Sequence, residues 1–115
     1  MSSSMIYKIL TEPLWREAQR IGSLRGAPVD LADGYIHFST KEQVAETAAK
    51  HFAGADDLVL LAVDPGALPG AAPKWEKSRG GDLFPHLYDS LDLAAVRWAK
   101  PLPIKGGAHV FPELT

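Results

Sequence analysis

The stretch Gly34-Tyr35-Ile36-His37-Phe38-Ser39-Thr40 decides how this chain is read. It leaves a glycine, alternates polar and apolar residues, and ends in two hydroxyls, the pattern of a strand handing over to a helix. Side chains alternate faces along a strand, so Ile36 and Phe38 share one face, with Tyr35, His37 and Ser39 on the other. The first pair is core. The second set places a titratable ring between an aromatic and a hydroxyl, which suits a ligand face. Ser39 with Glu42, or Thr40 with Gln43, has the spacing of a capping box, and Val44, Ala45, Ala48 and Phe52 then form a buried helical stripe that Gly54 closes. Capping accounts for Ser39 and Thr40 as well as ligand binding does. A helix N-terminus also attracts anions, and His37 stands just before this one.

Upstream, Met5 to Leu10 reads as a strand. Thr11, Glu12 and Pro13 then open an amphipathic helix over 12–21, with Trp15 as a core anchor and Gly22 as its stop. Ser23 to Asp33 reads as a polar connection. Downstream, Asp57 to Val63 is nearly all apolar, as in strands buried on both faces. The stretch from Asp64 through Pro73 is a loop. Lys74 to Lys77 is a short strand, Ser78 to Asp82 a turn, and Leu83 to Tyr88 a strand in which Pro85 implies an edge or a bulge. Leu93 to Leu102 gives a last strand around Val96 and Trp98, and the tail from Ile104 onward is expected to lie over the surface. Two early helices followed by strands argue for an α+β fold with a small, split, mostly antiparallel sheet. The 115 residues suit a single domain, 1–115, with 1–4 and about 104–115 as tails.

The composition is that of a soluble globular protein: 46% hydrophobic and 23% charged. Without cysteine there is neither a disulfide framework nor a thiolate zinc site. A net charge of -2 gives no reason to expect general nucleic-acid binding. No apolar run approaches the roughly 20 residues that span a bilayer, and Met1 to Met5 lacks the apolar core of a signal peptide. The expectation is a cytoplasmic protein with no membrane association.

Four histidines are present. His51, in the last turn of the second helix, suits the helix dipole, and His109 in the glycine-rich tail receives no role. His37 and His86 each sit on a strand two residues before a hydroxyl, in His37-Phe38-Ser39 and His86-Leu87-Tyr88. Such a ring can donate to a phosphate, orient a ribose hydroxyl or shuttle a proton; a half-buried structural histidine is the competing account. Glu76 can act as base, as hydroxyl acceptor or as the stabiliser of a developing cation, or it is simply a solvated charge. Trp75 can stack a base or nicotinamide ring, but it alternates with Glu76, so if Glu76 faces the site, Trp75 packs in the core. Arg79 is placed to reach a phosphate. No close-spaced metal ligands, phosphate loop, dinucleotide fingerprint or nucleophile elbow is present.

Together, the first strand and the Trp15 helix, Gly34-Tyr-Ile-His-Phe-Ser39, Leu58 to Pro65, Lys74-Trp75-Glu76 and Phe84-Pro-His-Leu-Tyr88 resemble the bacterial family called domain of unknown function 952 over roughly residues 5–103. Where the family carries a glycine after the tyrosine, this chain has Asp89. The family is similar in fold to the ADP-ribosyltransferase superfamily, whose members bind NAD or ADP-ribose groups between two small sheets. That resemblance implies a histidine holding a ribose, for which His37 is the match, an aromatic on nicotinamide, from Tyr88 or Trp75, and a late glutamate, Glu76. With the reading of the residues themselves, His37, Glu76 and His86 are the catalytic candidates, with Tyr35, Ser39, Thr40, Trp75, Arg79 and Tyr88 as ligand contacts. No tightly bound cofactor is expected, and NAD or ADP-ribose enters as substrate or ligand. Two other readings stand beside the ADP-ribosyl-type enzyme. One is a two-histidine phosphoesterase using His37 and His86; the other is a non-catalytic module that binds a nucleotide-like ligand or a protein.

Overall fold

The computed structural model describes residues 4–78 and 81–114. Among these, the order is β1 (Ile6–Thr11), α1 (Glu12–Ile21), β2 (Ser23–Leu24), α2 (Pro28–Asp33), β3 (Ile36–His37), α3 (Val44–His51), β4 (Leu58–Val63), β5 (Lys74–Lys77), β6 (Leu83–Leu87), β7 (Leu91–Asp92), β8 (Val96–Pro101), β9 (Ile104–Lys105) and β10 (Ala108–His109). All strand pairs are antiparallel. The strands form two three-stranded sheets, ordered β1-β4-β8 and β3-β6-β5, and two small ribbons, β2-β7 and β9-β10. The α+β class and the split, mostly antiparallel sheet therefore hold.

β4 is buried along its whole length because both faces of its sheet are covered. Leu61 and Val63 join Ile6, Leu10, Ile36, Phe38 and Leu87 on one side. Leu60 and Ala62 join Tyr7, Ile9, Val44 and Ala48 on the other, under α3. Truncating Leu60 or Leu61, each 0% exposed, to alanine is expected to cost about 2–5 kcal/mol. Trp15 packs half-buried against the first cluster, as anticipated.

The opening stretch is the seam between the two large sheets. Ile36 and His37 pair with Leu87 and His86 of β6, whereas Ser39 bridges to Tyr7 of β1 through reciprocal bonds of 2.8 and 2.9 Å. Within five residues the chain changes sheets.

Four expectations change. The 23–33 connection contains β2 and the six-residue helix α2, giving three helices rather than two. The helix after the seam begins at Val44, with Gln43 as its N-cap, because 41–43 form a preceding turn. Pro85 lies in β6, the central strand of its sheet. Its carbonyl accepts from Phe38 N–H at 3.0 Å; a strand residue points its N and C=O the same way, so the missing donor faces β3, which has already ended at His37. Finally, the tail is docked: β9 and β10 form a hairpin, Leu102 is buried, and Phe111 and Leu114 pack on the α3 side of the core.

Candidate functional site

Lys8 sets the first half of the site. It lies between Ile6 and Leu10 on the face of β1 that meets the first core cluster, and it is only 5% exposed. A buried ammonium needs a partner, and α2 supplies one in Asp30, whose Oδ2 is 2.8 Å from Lys8 Nζ. Pro28 opens α2. Asp30, two residues on, reaches back to accept from Ala27 N–H at 2.8 Å. Its other oxygen accepts from His37 N–H at 3.1 Å and from the His37 ring Nδ1 at 2.5 Å. One carboxylate thus takes four donors, about its full capacity. Burial alone pushes the Asp30 carboxyl upward and is the largest single influence, but the His37 bond, the Lys8 charge and bond, and the Ala27 amide together bring it down to about 2. Burial pulls the Lys8 ammonium down, with Asp30 opposing. Gly26 makes this geometry available, since at φ 132° an added Cβ would lie 2.7 Å from Asp30 Cβ.

His37 Nε2 faces a second carboxylate, the half-exposed Asp33, at 3.0 Å. Carboxylate oxygens thus stand at both of its ring nitrogens.

The second half comes from the other sheet. His86 on β6 is the direct register partner of His37 on β3 and of Lys74 on β5. Its Nδ1 donates to Glu76 Oε1 at 2.8 Å, and Tyr88 O–H donates to the same oxygen at 2.7 Å. Tyr88 first, then His86, hold the Glu76 carboxyl below its usual range. The same Tyr88–Glu76 bond, foremost, pushes the Tyr88 phenol up to about 12. Lys74 Nζ stands 5.0 Å from the Tyr88 ring centre, within cation–π range.

Tyr35 joins the halves. Its ring stacks on His86 with centroids 4.2 Å apart, and lies 4.6 Å from His37 and 5.1 Å from Tyr88. The two histidine rings meet edge to face at 5.5 Å. Burial raises the Tyr35 phenol, and the charges of Asp33 and Glu76 add to it. Beyond Tyr35 and Tyr88 opens a cleft of about 530 Å³, also lined by Arg25, Leu31, Asp89 and Ser90. The tyrosines are its wall and the histidines stand behind them.

The structure therefore gathers Tyr35, His37, Glu76, His86 and Tyr88 in one cluster. Ser39 lies elsewhere, buried with its hydroxyl 3.0 Å from that of Thr47. Thr40 serves the turn before α3: its N–H donates to Gln43 Oε1 at 3.0 Å, one of the two bonds of the expected capping box, while Gln43 N–H donates to the Thr40 backbone carbonyl instead of the hydroxyl. Trp75 is on the face opposite Glu76 but is half exposed rather than in the core, because β5 is an edge strand that overhangs it. Arg79 lies outside the described residues. His109, given no role from sequence, donates from Nε2 to the Ala55 carbonyl at 2.8 Å and ties the hairpin to the chain after α3. Lys8, Asp30, Asp33 and Arg25 were not anticipated. Two signals were present: a lone charge in an apolar strand, and Pro28-Val-Asp30 as a helix start.

Two facing carboxylate–histidine pairs, clamped by a tyrosine at the seam of a split antiparallel sheet, define a small α+β protein with a preformed polar cluster. The chain matches the family model described as Protein of unknown function (DUF952) over residues 9–99 and belongs to that family. It is similar to the crystal structure of protein CC0527 from Caulobacter crescentus, with 46% identity and a TM-score of 0.87, covering 93% of this chain and 94% of that one. The solution NMR structure of CC0527 matches at 47% identity and a TM-score of 0.80, covering 93% and 91%. No curated protein matches. Among the described residues, no helix is long and apolar enough to cross a membrane.

Proposed function

We propose that this protein binds a nucleotide-like ligand of the NAD or ADP-ribose class in the cleft walled by Tyr35 and Tyr88. The observation that carries this reading is the cleft itself. Its volume of about 530 Å³ falls in the range of small-molecule sites, and its wall is two tyrosines whose rings are braced by histidines held by carboxylates. Tyrosine faces suit a base or nicotinamide ring. The exposed carboxylates Asp33 and Glu76 suit ribose hydroxyls, which donate. Arg25 suits a phosphate, and among the described residues no carboxylate pairs with it. In this reading the ligand extends out of the cleft past the tyrosine wall, where Asp33 yields His37 Nε2 to a ribose hydroxyl or phosphate, and His86 keeps Glu76 in place. If the nicotinamide–ribose bond breaks, its electron pair leaves with nicotinamide, and Glu76 is the charge that stabilises the cation left on the ribose.

The phosphoesterase reading has one observation in its favour: His37 and His86 are register partners, each with a carboxylate on Nδ1. Against it, Tyr35 occupies the space over both rings.

Titration with NAD, ADP-ribose and a 2′,3′-cyclic phosphate, followed through histidine and tyrosine ring resonances, separates these readings. NAD or ADP-ribose is expected to shift Tyr35, Tyr88 and His37, with binding lost in Tyr88→Ala. Cyclic-phosphate turnover that needs both histidines would favour the second reading. Silence with all three ligands overturns both.

A further inference from the structure

Independently of any ligand, β5 has the properties of a self-recognising edge. It is the outer strand of the β3-β6-β5 sheet, with β6 as its only strand partner among the described residues. Its outward groups can be worked out. Trp75 is opposite Pro85, and Pro85 points its carbonyl at Phe38 on the far side. The Trp75–Pro85 pair is therefore the non-bonded kind, and Trp75 turns its N–H and C=O away from the sheet. Lys77, two residues on, does the same. The turn agrees, because Ser78 N–H, of opposite parity, bonds inward to the Asp82 carbonyl at 3.0 Å. On the side-chain side, Trp75 is 51% exposed and Leu83, on the same face of β6, is 50% exposed.

We propose that β5 pairs antiparallel with β5 of a second copy of this chain, centred on Trp75. Residues opposite one another in such a pair share a face, so a two-fold pairing must centre on a residue. Centring on Glu76 would set two like charges against each other. Centring on Trp75 sets Lys74 against Glu76 of the partner subunit, twice, and leaves Lys77 opposite Pro73 of the partner subunit. It also matches the backbone. The two Trp75 residues exchange both N–H···O bonds, and each Lys77 N–H meets the carbonyl of Pro73 of the partner subunit. Pro73 has no N–H, which ends the pairing there. The two indoles then lie side by side and cover each other. The sequence Lys74-Trp75-Glu76 is self-complementary in charge, apolar surface and backbone phase.

Sedimentation equilibrium of the full chain over a wide concentration range, with amide hydrogen exchange in dilute and concentrated samples, tests this. The expected result is a dimer whose formation slows exchange at the Trp75 and Lys77 amides, which face solvent in one copy. Trp75→Pro removes the outward N–H together with the exposed indole, neither of which bonds within one copy, and is expected to weaken the dimer by about tenfold or more while leaving the far-ultraviolet circular dichroism spectrum unchanged. A chain that stays monomeric at every concentration overturns the proposal. So does a dimer in which those two amides exchange no more slowly than in dilute solution. Should Trp75→Pro fail to fold, the exchange measurement on the unaltered protein decides alone.

Discussion

The two carboxylate–histidine pairs of the cluster use the same chemistry with burial reversed. In the first, the Asp30 side chain is 0% exposed while the His37 side chain is 33% exposed. In the second, the histidine is the buried partner: the His86 side chain is 5% exposed and that of Glu76 is 38%. Each pair thus has one member fixed in the protein and one that solvent can reach. The buried member positions; the reachable one is free to meet something else. Asp30 fastens β1, α2 and β3 through Lys8, Ala27 and His37. Nothing comparable hangs on Glu76, whose partners are a histidine and a phenol.

If that contrast is right, the two carboxylates should respond very differently to removal. Asp30→Ala leaves the Lys8 ammonium buried with no counter-charge, a change expected to cost about 3–5 kcal/mol in urea unfolding. Lys8→Met, which removes the charge at similar volume and leaves Asp30 its amide donors, is expected to cost less. An Asp30→Ala loss below about 1 kcal/mol would erase the distinction between the pairs.

The sequence made the second pair more legible than the first. His86 and Tyr88 are two residues apart, so their common face followed from alternation, and so did that of Tyr35 and His37; that Glu76 rather than Trp75 joins them is set by the pairing of β5 with β6. Asp30 was hidden because α2 is six residues long, too short to show a periodic stripe, and lies in a stretch that composition marks as loop. Its register with Lys8 and His37 is set by tertiary packing alone. Pro85 misled for a related reason: proline is tolerated in a central strand here only because β3 stops beside it. The docked tail was illegible because its few apolar residues, Leu102, Phe111 and Leu114, have no periodicity without α3 beneath them.

The next largest effect tests how tightly Asp30 is placed. Gly26→Ala forces a methyl to within 2.7 Å of Asp30 Cβ at a φ of 132°, and is expected to cost about 1–3 kcal/mol. The signature is loss of the His37 amide's protection from exchange, since that N–H donates to Asp30. Gly54→Ala, also at positive φ but with nothing within 4 Å of the added carbon, provides the comparison, since it carries backbone strain without the clash.

Acid should expose the same asymmetry. The Asp30 carboxyl is depressed from 3.8 to about 2. A depressed acid contributes stability that is fully present above its unfolded value and is lost as pH falls through the folded one. The loss therefore runs from about pH 4 down to about pH 2 and amounts to about 2 kcal/mol. Urea midpoints measured at pH 5, 3 and 2 should show it, and Asp30→Asn should lack that component. Glu76 is also depressed and has the same sign, but its solvent exposure screens it, so most of the slope should vanish with Asp30.

The smallest effect on stability belongs to Glu76→Gln, and it discriminates best because its main readout is elsewhere. Tyr88 is pushed up to about 12 chiefly by donating to the Glu76 carboxylate, and the Glu76 charge contributes to raising Tyr35. An uncharged amide at 76 removes both influences. The near-ultraviolet phenolate titration should then move down, toward the ordinary tyrosine value of about 10, while the urea midpoint moves far less than in Asp30→Ala. Asp30→Asn should do the reverse, leaving Tyr88 where it is and moving the unfolding curve. A Glu76→Gln protein that unfolds as readily as Asp30→Ala, or whose tyrosines titrate unchanged, would mean that the exposed pair is another structural clamp and that the cleft wall owes nothing to its charge.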